Sequence, residues 1–348
     1  MERRKVVTID GFGVISVLSE DIPRPSRGQV LVRVSRSLIS PGTELGWVKK
    51  RRENPNPSMG PKPFGYGNAG IVIERGEDCG EIPVGAKLAC MGGGYALHTT
   101  HACVPKNLTE PVPEGVSFEE AAFAHLAATS LHAIRRARLE IGENVLVAGL
   151  GIVGQLCGQF AKASGCHVMG MDLYPLRLEI AERCGVDLAI NPKETDPVEA
   201  AREFSRGYGI DCGIIAFGGD ATEAFKQIVR SLKVAPDTHR MGRIVIVGGA
   251  TITHQFASAL GNVDVRSSAR PGPGYHDVAW EHGADYPPVF VQWTTKRNLE
   301  ECLRFIQEGR INVKDLITHR FPIDEAPEAC ELLINHPESA LGVILEME

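Results

Sequence analysis

The stretch that most narrows what this chain can fold into is residues 144–172, NVLVAGLGIVGQLCGQFAKASGCHVMGMD. Val145, Leu146, Val147 and Ala148 make an apolar run of the length expected for a strand buried on both faces of a parallel sheet. Gly149, Gly151 and Gly154 follow at G-x-G-x-x-G spacing, 155–164 repeats apolar residues at helical intervals, and 167–171 is a second short strand ending at Asp172. The triplet is weak alone and gains force from this strand–turn–helix–strand context. In that setting the first glycine permits a tight turn, the second lets the backbone approach a pyrophosphate, and the third lets helix and strand pack closely. The helix opens at Ile152 and Val153, whose end presents free amides and a positive dipole to phosphates. Asp172 is placed to accept from ribose hydroxyls and to repel a 2′-phosphate, which favours NAD over NADP. Arg177 lies in the next helix; it can accommodate a 2′-phosphate, but a salt bridge or surface role fits it better.

From 144 onward the chain alternates strand and helix. Strands are expected at 145–149, 167–171, 187–191, 211–216 and 243–248, with helices at 177–184, 197–205 and 221–232. This predicts a doubly wound parallel sheet. The strands near 215 and 245 run into Gly218 and Gly248-Gly249, as strand ends bordering a ligand crevice often do. Residues 1–118 read instead as short strands between Gly and Pro turns, at 6–9, 14–18, 30–37, 70–74, 87–91 and 96–104, a barrel-like module. The basic, Pro- and Asn-rich run 49–62 reads as an exposed loop, and 118–138 as one helix. After Ala250 the pattern changes. Residues 270–292 are rich in proline and aromatics without periodicity and read as a folded functional loop. A helix at 298–307, strands at 316–321 and 341–345 and a helix at 323–335 close the chain, in a piece too small for its own core that should rejoin the N-terminal module.

With 348 residues, the chain has material for about two domains. A net charge of −6 gives no reason to expect nucleic acid or an anionic membrane as partner. The apolar runs are too short to span a bilayer and MERRKVVTIDG lacks a signal-peptide core. Nine cysteines without a C-x-x-C pair suit reduced thiols in a cytoplasmic protein.

GTE at 42–44, GYGNAG at 65–70, YALHTTHACVP at 95–105, HLAATSLHAIRRA at 125–137, the glycine-rich segment and RIVIVGG at 243–249 together resemble the medium-chain dehydrogenase/reductase superfamily of alcohol and polyol dehydrogenases. The resemblance implies an α/β architecture: a Rossmann sheet inserted in a partly open, GroES-like β-barrel catalytic domain, with the active site between the two. The barrel is then expected over 1–126 and 293–348, the NAD-binding domain over 127–292 with the loop 270–292, and the protein as a homodimer or homotetramer. Zinc-dependent members hold a catalytic metal by Cys, His and a third ligand. Here Pro41, beside Ser40, stands at the Cys position, Tyr66 at the His position and His125 at the third. A single imidazole does not make a three-ligand zinc site, so no zinc is expected. The 270–298 stretch resembles zinc-lacking members, including the dehydrogenase half of two-part sugar-linked oxidoreductases.

By that resemblance Thr43 matches the hydroxyl of the family's proton relay, Glu44 the acid beside it, and Thr129 a residue packed beside the nicotinamide. Oxidation of a secondary alcohol needs an acceptor for the hydroxyl proton and stabilisation of the alkoxide. His125 is the first choice for base, on its unperturbed pKa of about 6.5, and Tyr66 the second, as donor to the oxygen. Each also has a plainer reading, Tyr66 as filler of the metal cavity and His125 as a helix-start histidine. Ser40, Tyr275, Tyr286 and Trp293, with His276 and Asp285, are candidates for lining a polar pocket for a sugar; His98 and His101, on one expected strand, suit core or surface roles better. The expected activity is NAD-dependent oxidation of a sugar, amino-sugar or cyclitol hydroxyl. Two rivals stay open: a lyase or epimerase that oxidises a sugar carbon only transiently, and a non-catalytic nucleotide-binding protein.

Overall fold

The computed structural model describes residues 3–347. Asn144–Ala148, buried throughout, becomes an inner strand of a six-stranded parallel sheet. In chain order the strands are Asn144–Ala148, His167–Met171, Leu188–Ile190, Cys212–Ile215, Met241–Val247 and Asn262–Ser268, and across the sheet they run 3-2-1-4-5-6. The order reverses between the first and fourth strands, which opens a crevice beyond their carboxyl ends. Leu146, Met169, Ile215, Phe225, Ile228 and Ile244 pack one face of this sheet. Each such side chain, fully buried, contributes about 1.5–3 kcal/mol before entropy is charged against it.

The sixth strand was not expected from the sequence. Asn262–Ser268 (NVDVRSS) mixes apolar and charged residues and lies mostly exposed at the sheet edge, so it lacks the apolar run that marks the inner strands. It pairs along its length with Met241–Val247.

The other unit collects residues up to Ala128, Pro271–Gly309 and those from Leu316 onward; Thr129–Arg270 and Arg310–Asp315 form the first-described unit. Its larger sheet has seven strands. Six run in the order Ile317–Pro322, Gly342–Glu346, Gln29–Leu38, Gly67–Arg75, Lys87–Met91 and Thr109–Pro111, and His101–Pro105 also pairs with Gln29–Leu38. A three-stranded sheet of Ile15–Asp21, Arg3–Ile9 and Lys62–Pro63 accompanies it. The C-terminal strand joins the N-terminal module as expected, with Ile344 opposite Leu38.

Four local expectations need correction. The loop 270–292 packs with the barrel unit rather than the Rossmann unit, because Asn107 Nδ2 donates to Trp280 O and Ala284 O and the Gly93 amide donates to Tyr275 Oη. The loop expected at 49–62 begins as helix Glu44–Glu53, whose Arg51 donates to the carbonyls of Ile9 and Asp10 and whose Arg52 pairs with Glu331. The helix expected over 118–138 is two, Phe118–Ala121 and Ala124–Ala137, the first closed by a capping box of Ser117 and Glu120. The strand expected at 96–104 is confined to His101–Pro105, and His98 lies before it in irregular chain.

Candidate functional site

The nucleotide segment has a separate reason for each glycine. Gly149 takes φ +86°, where a side chain is strained. A Cβ on Gly154 would lie 1.8 Å from Gly149 O, so only glycine lets the helix Ile152–Ala163 sit this close to the loop. A Cβ on Gly151 would meet nothing within 4 Å: the space before the helix N-terminus is open. That opening, in front of the free amides of the first turn, fits a pyrophosphate. Ile152 is buried and Val153 half-buried behind it; Val153 O accepts from Ser130 Oγ.

Asp172 lies where the sequence put it, just past the second strand. Its Oδ2 accepts from the Leu150 amide at 2.7 Å and its Oδ1 from the Tyr174 amide at 3.1 Å. The carboxylate therefore ties the strand end to the glycine loop. Arg177, in helix Pro175–Arg183, reaches Asp172 Oδ2 at 3.5 Å with its guanidinium 4.6 Å from the centre of the Tyr174 ring, the salt bridge expected of it. Gly218 and Gly249 stand within 3.7 Å of each other, counted from an added Cβ on Gly218, and the chain just beyond them pairs as Gly219 with Ala250. Gly248 takes φ +92°. Thr129 is half-buried in helix Ala124–Ala137.

In the barrel unit, Gly65-Tyr66-Gly67 seats two imidazoles. Gly65 takes φ +118°, and a Cβ there would come 2.9 Å from His98 Cγ; one on Gly67 would come 2.1 Å from His125 Nδ1. Tyr66 lies between, its ring edge-on to His125 with centroids 5.0 Å apart. Its hydroxyl donates to Ser40 Oγ at 2.5 Å and also hydrogen-bonds the Thr43 side chain. Burial, then the nearby Glu44 charge, raises the phenol well above its ordinary value, so Tyr66 stays protonated.

His125 is buried, and its Nδ1 meets Ala122 O at 2.9 Å. A carbonyl only accepts, so Nδ1 carries the proton in the neutral ring. Burial pushes the imidazole down to about 3, which corrects the expectation of a base working from an unperturbed value. Glu44 begins helix Glu44–Glu53 fully buried, its Oε2 accepting from the Ser40 amide at 2.9 Å and lying 3.0 Å from His98 Nε2. His98 was expected as a core or surface residue; it is core, and it touches this cluster.

Of the expected pocket residues, Ser40 joins the cluster, and Tyr275 lies near enough to Tyr66 to add slightly to the raising of its phenol. Tyr286 and Trp293 build the loop instead. The Tyr286 hydroxyl donates to Asp277 Oδ2 at 2.6 Å and its ring stacks on Trp280, while Arg297 covers the Trp293 ring at 4.0 Å. His276 stacks on Tyr275, and Asp285 accepts from the Tyr286 amide.

The residues at the family's zinc positions do not fit that metal. Pro41 offers no donor, Tyr66 is a protonated phenol, and among the described residues no three His, Cys, Asp or Glu side chains are grouped to hold an ion.

A family model described as zinc-binding dehydrogenase matches residues 153–282, a stretch that contains none of those three positions. The chain is 28% identical over 249 residues to an erythritol/L-threitol dehydrogenase of Mycolicibacterium smegmatis, covering 70% of this chain and 59% of that protein's length. It is 26% identical over 308 residues to a D-guloside 3-dehydrogenase of Shigella flexneri, covering 82% and 80%. Among solved structures, a zinc-binding dehydrogenase of Sinorhizobium meliloti bound to NADP superimposes with a TM-score of 0.79 at 22% identity, over 99% of this chain and 100% of that one. No described helix is long and apolar enough to cross a membrane. The glycine-rich Rossmann unit, the barrel unit that flanks it in sequence and these relatives are consistent with the medium-chain dehydrogenase/reductase superfamily, and the relatives' names support an oxidoreductase of the alcohol and polyol dehydrogenase type.

Proposed function

We propose that this oxidoreductase works without zinc, uses NAD, and acts on a secondary hydroxyl of a sugar, amino sugar or cyclitol. The observation that carries the reading is the hydroxyl cluster of Tyr66, Ser40 and Thr43 beside His125, at the positions where relatives with metal keep their ligands. Gly149, Gly151, Gly154 and Asp172 would hold the dinucleotide, which when bound supplies a hydride acceptor or donor. The chain's own part is proton handling. Tyr66, kept protonated, donates to the carbonyl or alkoxide oxygen, a task a Lewis acid performs elsewhere. In protonating the alkoxide the phenol gives up its own proton and takes one from the Ser40 or Thr43 hydroxyl, refilled from water at the exposed Thr43; oxidation of the alcohol runs the same relay in reverse and releases the proton to water. His125, neutral with its proton on Nδ1, presents an acceptor nitrogen and an uncharged wall. The polyol-type relatives support a polar substrate, and the Asp172 carboxylate supports NAD over NADP.

The test is to follow absorbance of NADH, and separately NADPH, with a panel of sugars, amino sugars and cyclitols, and to measure metal by elemental analysis of protein prepared without chelator. NADH formed by metal-free protein is expected. Substrate turnover with no net NADH would point to a lyase or epimerase, tight NAD binding without turnover to a non-catalytic protein, and stoichiometric zinc would overturn the metal-free reading.

A further inference from the structure

Behind Tyr66 and His125 lies a buried polar chain that the proposed proton handling does not itself use. His98 is fully buried, with Nε2 3.0 Å from Glu44 Oε2 and Nδ1 against Ser37 Oγ, while Phe64 stands edge-on to its ring at 5.5 Å. Ser37 Oγ in turn donates to Gly67 O at 3.0 Å. Glu44 Oε2 also takes the Ser40 amide, and Ser40 is the acceptor of the Tyr66 hydroxyl. The pair thus reaches the site by two routes. One runs Glu44–Ser40–Tyr66; the other runs His98–Ser37–Gly67, and Gly67 is the residue on which the His125 ring rests.

The arrangement is expensive. A carboxyl group held entirely out of water loses its hydration, and Glu44 Oε1 is buried with no hydrogen-bond partner among the described residues. An apolar pair of the same volume would pack this core at lower cost, so packing alone gives no reason for it. Its charge is felt on the site side: Glu44 acts electrostatically on Tyr66 and on the buried Cys330 thiol, and His98 acts on His125.

We propose that His98 and Glu44 are a positioning pair, fixing through Ser40 the direction in which the Tyr66 hydroxyl points and through Ser37 and Gly67 the seat of His125. The proposal rests on the reading of Tyr66 as the group that donates to substrate oxygen. It makes His98 a functional residue of this site although it touches neither substrate nor cofactor.

The experiment uses the full chain carrying tyrosine labelled with ¹³C at Cζ, with Tyr66→Phe to assign the Tyr66 signal, and compares wild type with Glu44→Gln and His98→Gln. In the substrate-free protein the Tyr66 signal is expected to move in both variants, since the hydrogen bond that orients Ser40 is altered in each. With a polyol found to be oxidised, kcat is expected to fall by about 10- to 100-fold, the cost of removing an outer hydrogen-bond partner of a site, with KM within about two-fold. A Tyr66 signal unchanged in both folded variants overturns the proposal whatever the activity. Unchanged kcat in both variants, against an active wild type, overturns it too. A Tyr66 signal moved in both variants, with a wild type that oxidises no polyol, leaves the pair standing and refutes the assigned function instead. If Glu44→Gln does not fold, His98→Gln, which keeps an N–H donor, carries both readouts alone.

Discussion

Tyr66 and His125 pair in the sequence as the residues that the resemblance sets at two ligand positions, and their burial favours Tyr66 over His125 as the proton-handling group. A histidine in water titrates near neutrality; one sealed against Gly67 with Nδ1 given to Ala122 O does not. Tyr66 gains what His125 loses, since the burial that keeps the imidazole neutral keeps the phenol protonated and able to donate. Tyr66→Phe, which removes only the hydroxyl, is expected to lower kcat by about 10²- to 10⁴-fold while leaving NADH affinity unchanged. Steady-state kinetics beside a fluorescence titration would show it, and a Phe variant with full kcat would remove the phenol from the chemistry. His125 also sets a pH dependence of stability. Its folded value is depressed from 6.5 to about 3, so below pH 6.5 the unfolded chain binds a proton that the folded chain refuses. The contribution is complete above pH 6.5 and is lost as the pH falls toward 3, by about 1.4 kcal/mol per pH unit. His125→Gln should flatten that limb in urea unfolding series; parallel curves for the two proteins across that window would refute it.

The element most fully legible in advance was the glycine-rich turn, because strand, turn and helix signals there are all local. Two consequences separate its glycines. Gly151→Asp places a carboxylate in open space before the helix, so melting temperature should hold while NADH affinity falls by about ten-fold or more, about 1.4 kcal/mol. Gly154→Val forces atoms against Gly149 O, and overpacking of this kind costs about 1–3 kcal/mol, visible as a lowered melting temperature without ligand. Equal effects of both substitutions on melting and on binding would contradict this division. Elements without a clean period were missed or misplaced. The edge strand Asn262–Ser268 is half polar, and helix Glu44–Glu53 ends in a run of Lys and Arg that reads as loop until Arg51 and Arg52 find their carbonyls and Glu331.

Across the whole molecule the chain makes one sheet from its two ends. Gly342–Glu346 lies between Ile317–Pro322 and Gln29–Leu38, so the last strand is an inner strand of a sheet begun more than 300 residues earlier. A chain ending at residue 336 should lose that sheet. Hydrogen exchange is expected to show the amides of Gln29–Leu38 unprotected while those of Asn144–Ala148 stay slow, and full protection of both would show that the returning strand is dispensable.

The sequence by itself determined the doubly wound sheet and the dinucleotide loop, because each is written in the period or spacing of neighbouring residues. It could not determine how the proton-handling cluster is wired. Ser37, Ser40, Glu44, Tyr66, His98 and His125 are scattered over four stretches of chain, and only strand register, which sets Ser37 opposite Asn68, together with the two glycines that admit the imidazoles, brings them into contact. Nor could it give the protonation of Tyr66 and His125, since both are set by exclusion of water, a property of the packed core rather than of either residue.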